Sequence, residues 1–363
     1  MSAPLWKTNW TQTQRHFDAW WDHRGPVLGA WGTGLGMPSG ERAHTDEGAP
    51  PPPESIALQH TDPQYIAGNV RYKMAHRVWP ADILPAAWPH VGTLPLATYL
   101  GARPEYAPNN VWYSPCMSDL HDHPPLRFDP DHPECRQLER IVRETVRAAD
   151  GNYFVGMPAL LGGIDILAEL RGTAETLMDM VDDPGAVHRR LDEIQSAYEQ
   201  AFERMHRIIA LPDGSMCFGY FMLWGRGKVG LCQCDTAAMF SPQMFDEFVM
   251  PYLRRQCAFL DRSMFHIDGA QSLVHLDLLL TIDSLDAIEF TPDPKSPGGG
   301  DPSWYPLYRR ILDAGKSVWV ANLVQSQVLP LFDAIGGRGV YASVNGLSPA
   351  QAEDLALRVE AYA

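Results

Sequence analysis

His266 and Asp268, in the run Ser263-Met264-Phe265-His266-Ile267-Asp268-Gly269-Ala270, place an imidazole and a carboxylate two residues apart in a stretch that reads as a strand. Side chains alternate along an extended chain, so the two share a face. Together they can bind a metal or move a proton. Glu289 follows about one strand–helix step later, in Asp286-Ala287-Ile288-Glu289-Phe290, and completes a candidate metal set of His266, Asp268 and Glu289. One imidazole with two carboxylates is an oxygen-rich donor set that suits zinc and equally manganese or iron. The same three residues without metal form a hydrogen-bonded acid–base network, and the residue types leave both readings open. Asn322 and Asn345 end two further apolar runs, residues 317–322 and 339–346, and are candidate substrate contacts. Asp235, before a helix start, can orient substrate or cap that helix. Trp224 and Arg226, in Trp224-Gly225-Arg226-Gly227-Lys228, follow an apolar run, where the ring can wall a pocket and the guanidinium can hold an anionic group. Asp82, in a turn before Pro85, is either a candidate catalytic anchor or a turn-capping carboxylate.

The elements that must position these residues are short apolar runs, each followed by a segment of helical spacing. Four such units succeed one another from residue 263 to the C-terminus. Residues 26–31, 153–157 and 216–221 read as three more strands, and an eighth is expected within residues 82–96. The simplest closure is a (β/α)8 barrel of the triosephosphate-isomerase type, whose strand C-termini would gather the polar residues on one rim. Residues 1–363 are read as one domain, with residues 1–60 as an N-terminal extension: a helix over residues 12–23, the first strand, and a loop rich in Gly and Pro. A long amphipathic helix is expected from Asp183-Pro184, with Val187, Leu191, Ile194, Tyr198, Phe202, Met205 and Ile209 on one face, and another opens at Ser241-Pro242.

Composition narrows the partners. A formal charge of -15 with no Lys/Arg-rich run would repel a phosphate backbone, so nucleic acid is not expected. No apolar stretch reaches the length of a membrane span, and the start lacks an export signal, which points to the cytoplasm. The six cysteines are scattered, as in a reducing compartment, and Cys232 and Cys234 read as ordinary buried thiols. The glycines of residues 32–36 lack the spacing of a dinucleotide site, so no nucleotide cofactor is expected.

The order Asp235, Ser241-Pro242, Pro251-Tyr252-Leu253, His266-Ile267-Asp268-Gly269, Asp286 to Glu289, Gly315-Lys316-Ser317, Asn345-Gly346-Leu347 resembles the uroporphyrinogen decarboxylase superfamily, which includes corrinoid-linked and cobalamin-independent methyltransferases. The resemblance runs best from Gly156 onward and implies an eight-stranded α/β barrel. In the methyltransferase branch it implies a zinc site of the form His-x-Cys, an acidic residue and a later Cys-Gly. His266 and Glu289 stand at matching positions, whereas Asp268 and Asn345 replace the two thiolates, so activation of a thiol is not implied. In the decarboxylase branch, Ala81-Asp82-Ile83-Leu84 is similar to a run whose Asp gathers pyrrole N–H groups. That branch's Arg-rich N-terminal signature is missing. The expectation is a methyltransferase-like enzyme acting on a small methylated substrate through a thiolate-free metal site. A separate corrinoid protein is the implied acceptor, and a homodimer is a compatible assembly. A metal-independent decarboxylase or lyase is the alternative, and a non-catalytic binding protein the third reading.

Overall fold

The computed structural model describes residues 6–31, 34–89, 92 and 94–363. At its centre, six parallel strands lie in the order Val27–Gly29, Val340–Val344, Ser317–Leu323, Ala287–Thr291, Arg262–Asp268, Val229–Gln233. Their residues are buried almost throughout, as expected for parallel strands covered on both faces. The register aligns Gln233 with His266, His266 with Glu289, Glu289 with Trp319 and Trp319 with Tyr341. Residues paired across parallel strands point to the same face, so this row carries the His–Glu pair at one end and two wholly buried aromatic rings at the other. Two residues further along the strands, on the same face, Asp268 aligns with Thr291.

Between the outer strands of this sheet lie shorter pieces. Ala86–Ala87 pairs in parallel with Phe154–Val155, and Met157 bridges in parallel to Phe218 of the strand Ser215–Phe218. Asp82 N–H bonds to Leu28 O at 2.9 Å, tying the approach to Ala86–Ala87 onto the first strand. The continuous ladder therefore covers six strands, and the eighth strand expected within residues 82–96 is the two-residue piece Ala86–Ala87.

Helix starts follow their local chemistry. Pro184–Ile209 begins where the Asp183 side chain accepts from Ala186 N–H at 3.0 Å, and the seven apolar residues expected on one face are all buried. Ser241 caps Pro242–Phe248 by accepting from Met244 N–H, but that helix ends at Val249 and a second, Met250–Phe259, takes over. The N-terminal helix, expected over residues 12–23, runs from Trp10 to Trp21 and packs across the beginnings of the strands: Trp20 Nε1–H donates to Val318 O at 3.3 Å and Trp21 Nε1–H to Trp224 O at 2.8 Å.

Two strands occupy a region to which the sequence reading assigned none. After Ser215–Phe218 the chain turns through residues 219–222 and returns antiparallel as Leu223–Arg226, then reverses again into Val229–Gln233. Gly225, Gly227 and Gly230 dilute the apolar signal here. Gly230 has a packing reason, since a Cβ on it would lie 2.6 Å from the Leu260 side chain.

Candidate functional site

His266 and Glu289 meet because their strands are neighbours in register. Glu289 is wholly buried, and its Oε2 accepts a hydrogen bond from His266 Nδ1 while its Oε1 accepts from Thr291 Oγ1 at 2.7 Å. A carboxylate beside Nδ1 fixes the proton there, which leaves Nε2 as the nitrogen free to act. Burial pulls the His266 pKa down, but Glu289, then Asp235 and Asp268, outweigh it, and the net shift is upward.

Asp235 arrives from the next strand. Gln233 pairs with His266, and two residues later the chain enters the 3-10 turn Asp235–Met239. That turn is pinned by Asp165, in the first turn of the helix Ile164–Arg171, whose carboxylate accepts from Asp235 N–H at 2.8 Å, Thr236 N–H at 3.1 Å and Thr236 Oγ1 at 2.9 Å. Asp165 is buried, and that burial raises its pKa against the pull of its three hydrogen bonds and of His266. The Asp235 carboxylate has accessible surface, yet protein crowds it on most sides. That desolvation, followed by the charge of Asp165, pushes it up to about 7. Asp268 completes the group: one ligating atom each from Asp235, His266 and Asp268 lie within 4.8 Å of one another.

This arrangement suits a divalent cation. It offers an imidazole nitrogen and two carboxylates on neighbouring strand ends, with a carboxylate behind the imidazole, as metal-bound histidines usually have. Four carboxylates, of Asp165, Asp235, Asp268 and Glu289, act on His266 or on one another, and among the described residues no lysine or arginine is paired with any of them. The electrostatic strain that raises Asp235 is of the kind a cation relieves. Thiolates do not contribute: Cys232 lies buried against Cys257 with its thiol pushed well up by burial, and Cys234 is buried beside Thr236.

The sequence-nominated metal set is thus rearranged. Glu289 backs His266 instead of standing with Asp268, because its register position beside the ring commits it to Nδ1. Asp235, nominated as a substrate contact, takes the third place. Asp165 was not nominated; an acidic residue in a first helical turn is common enough that only its three hydrogen bonds distinguish it.

The other nominated residues lie elsewhere. Asn345 Nδ2 donates to Asn322 Oδ1 at 2.9 Å at the ends of their own strands, both exposed, and neither joins the donor group. Trp224 is wholly buried against Trp10 and Phe17. Arg226 pairs with Ser215 in the hairpin and forms an ion pair with Asp18 at 3.1 Å. The antiparallel return carries both away from the strand C-termini, so neither joins the group around His266. Asp82 is also remote from the group. Its carboxylate accepts from Leu28 N–H at 3.0 Å and lies 2.8 Å from His16 Nδ1. It lines a cavity of about 500 Å³ between the first and last helices, together with His16 and Glu360. The imidazole in that cavity is already spent on Asp82 and Glu360.

Aromatic rings stand over that group. Phe221 lies 5.1 Å from the His266 ring, Trp31 stacks on Phe221 at 5.2 Å, and Tyr220 packs against Trp31 and Trp88. The turn presenting Tyr220 and Phe221 is held in an unusual conformation, with Met222 at φ 51° and its carbonyl accepting from Tyr341 Oη at 3.3 Å.

No protein-family model matches the sequence, and no curated protein matches it. Among solved structures the chain is similar to a methyltransferase from Methanosarcina mazei, with a TM-score of 0.58 over 97% of this chain and 99% of that one, at 12% sequence identity. At that identity the likeness is one of fold: this chain shares a mixed α/β architecture, built on a parallel sheet, with a methyltransferase along nearly its whole length.

Proposed function

We propose that the protein is a methyltransferase-like enzyme of the uroporphyrinogen decarboxylase superfamily. In this reading the short strands complete an eight-stranded α/β barrel, and Asp235, His266 and Asp268 hold a divalent metal at its C-terminal rim. The observation that carries the proposal is the convergence of those three donors within 4.8 Å, with Glu289 behind His266. The methyltransferase fold shared with the neighbour from Methanosarcina mazei supports it. A bound metal would supply Lewis-acid chemistry, activating a nucleophilic acceptor or a water bound to it. Glu289 holds His266 in the tautomer that presents Nε2, Asp165 holds the Asp235 turn, and the aromatic ridge excludes water from one side. The negative field of the site disfavours a substrate bearing many carboxylates, so uroporphyrinogen itself should not be consumed.

The upward shift of Asp235 to about 7 favours a second reading, in which that carboxyl moves a proton in a metal-independent lyase or decarboxylase. Metal analysis of protein purified without chelators or a metal-carrying tag separates the two. About one equivalent of metal bound through nitrogen and oxygen alone, at roughly 2.0–2.2 Å by X-ray absorption, is the expected result. Turnover undiminished by complete metal removal would favour the second reading, and sulfur in the coordination shell would refute the assigned donors.

A further inference from the structure

We propose that the His266 site recognises a small onium group, a quaternary or tertiary ammonium or a sulfonium bearing methyl substituents, held between the aromatic ridge and the carboxylates. This deepens the reading above by naming the substrate class, and it rests on that site assignment but not on a bound metal.

Two independent features point to it. The first is the ring arrangement. Trp31, Trp88 and Tyr220 are each partly exposed, although Phe221 and Trp319, which brace them, are wholly buried. Trp31 stands edge-on to Tyr220 at 5.7 Å and to Trp319 at 5.6 Å, and Trp88 lies 4.7 Å from Tyr220. Apolar rings left partly open beside a polar group are suited to a ligand that is both apolar and charged, and a methylated cation is such a ligand. The second feature is the sign of the charge. Phe221 lies 5.1 Å from the His266 ring and 4.8 Å from the Tyr220 ring, so the aromatic ridge runs on from the imidazole that Glu289 backs. Among the described residues no lysine or arginine is paired with Asp235, Asp268 or Glu289, and His266 Nδ1 is committed to Glu289. An anionic substrate would meet repulsion, and a neutral one would leave the field unused. A cation with a methylated, weakly hydrated surface gains from both rings and carboxylates at little desolvation cost.

The test uses the full chain and compares choline with 3,3-dimethylbutan-1-ol, the same shape with carbon in place of N⁺, and with 3,3-dimethylbutanoate as the anionic probe. Affinities are measured by calorimetry on metal-free and on zinc-loaded protein. Choline should bind roughly tenfold more tightly than the neutral isostere, and the carboxylate should not bind detectably. Tyr220→Leu should shrink the preference for the cation to about threefold or less, while Tyr220→Phe, which keeps the ring, should retain it. Equal or tighter binding of the neutral or anionic probe overturns the proposal, as does the absence of saturable choline binding to either form of a folded protein. Choline selectivity in protein that never loads metal would leave this inference standing and remove the metal reading. Metal loading without choline selectivity would do the reverse.

Discussion

Two of the histidines that sit beside carboxylates, His16 and His266, differ in how their ring nitrogens are used. His16 lies in the first helix with Nδ1 2.8 Å from Asp82 and Nε2 3.2 Å from Glu360, so both nitrogens are spent. Asp82 in turn takes a hydrogen bond from Leu28 N–H. The cluster joins the N-terminal helix, the first strand and the C-terminal end of the chain, and it has no free valence. His266 commits one nitrogen to Glu289 and leaves the other among Asp235 and Asp268, neither of which has an ion-pair partner of its own among the described residues. In both places carboxylates outweigh burial and raise the imidazole pKa. Residue type and pKa shift therefore do not separate the two clusters; the uncommitted nitrogen of His266 does.

The sharpest way to break this comparison is to delete each imidazole. His266→Ala should lower metal affinity by more than about a hundredfold and, because it strips a partner from wholly buried Glu289, should also cost about 1–3 kcal/mol of stability. His16→Ala should leave metal loading unchanged and cost about 1–3 kcal/mol of stability by denaturant titration, because it strips a partner from buried Asp82. Equal effects of the two on metal loading would mean that the clusters are not distinct in role.

Removing the carboxylates that stand behind the donors should have the next largest effect. Asp165→Asn should weaken metal binding by roughly 10- to 100-fold and speed amide exchange at Asp235 and Thr236, whose N–H groups it holds. Glu289→Gln should weaken binding on a similar or smaller scale, about tenfold, by loosening the His266 tautomer. Unchanged affinity in both variants would show that the donors are held by the backbone alone.

The smallest expected effect is on the pH dependence of the metal-free protein. Asp235 and His266 both have raised pKa values when folded, so the native state holds more protons than the unfolded chain and stability falls as pH rises. For Asp235 the loss runs from the ordinary carboxylate range up through about 7; for His266 it runs from the ordinary imidazole range upward. Asp235→Asn should flatten the first part of that decline and raise the melting temperature by a few degrees at pH 8. A melting temperature for the metal-free protein that instead rises steadily from pH 5 to 8 would contradict the charge crowding at this site.

The sequence by itself determined the local elements and one face of the site. The spacing from Val187 to Ile209 marked the long helix, the β-branched runs marked four of the six parallel strands in the C-terminal part and one near the start, and the two-residue step from His266 to Asp268 put both on one side of a strand. These follow from periodicity, which acts over a few residues. Only the tertiary structure decided which distant groups meet. Glu289 backs the imidazole because the register of two parallel strands sets it beside Nδ1. Asp235 joins the donors because the unrecognised strand Val229–Gln233 lies next to His266 and Asp165 pins the turn after it. Arg226 and Trp224 were carried to the opposite edge by an antiparallel return that no local pattern announced. Strand order and register come from how whole faces pack, and a side chain's role depends on that register, which a one-residue shift would invert.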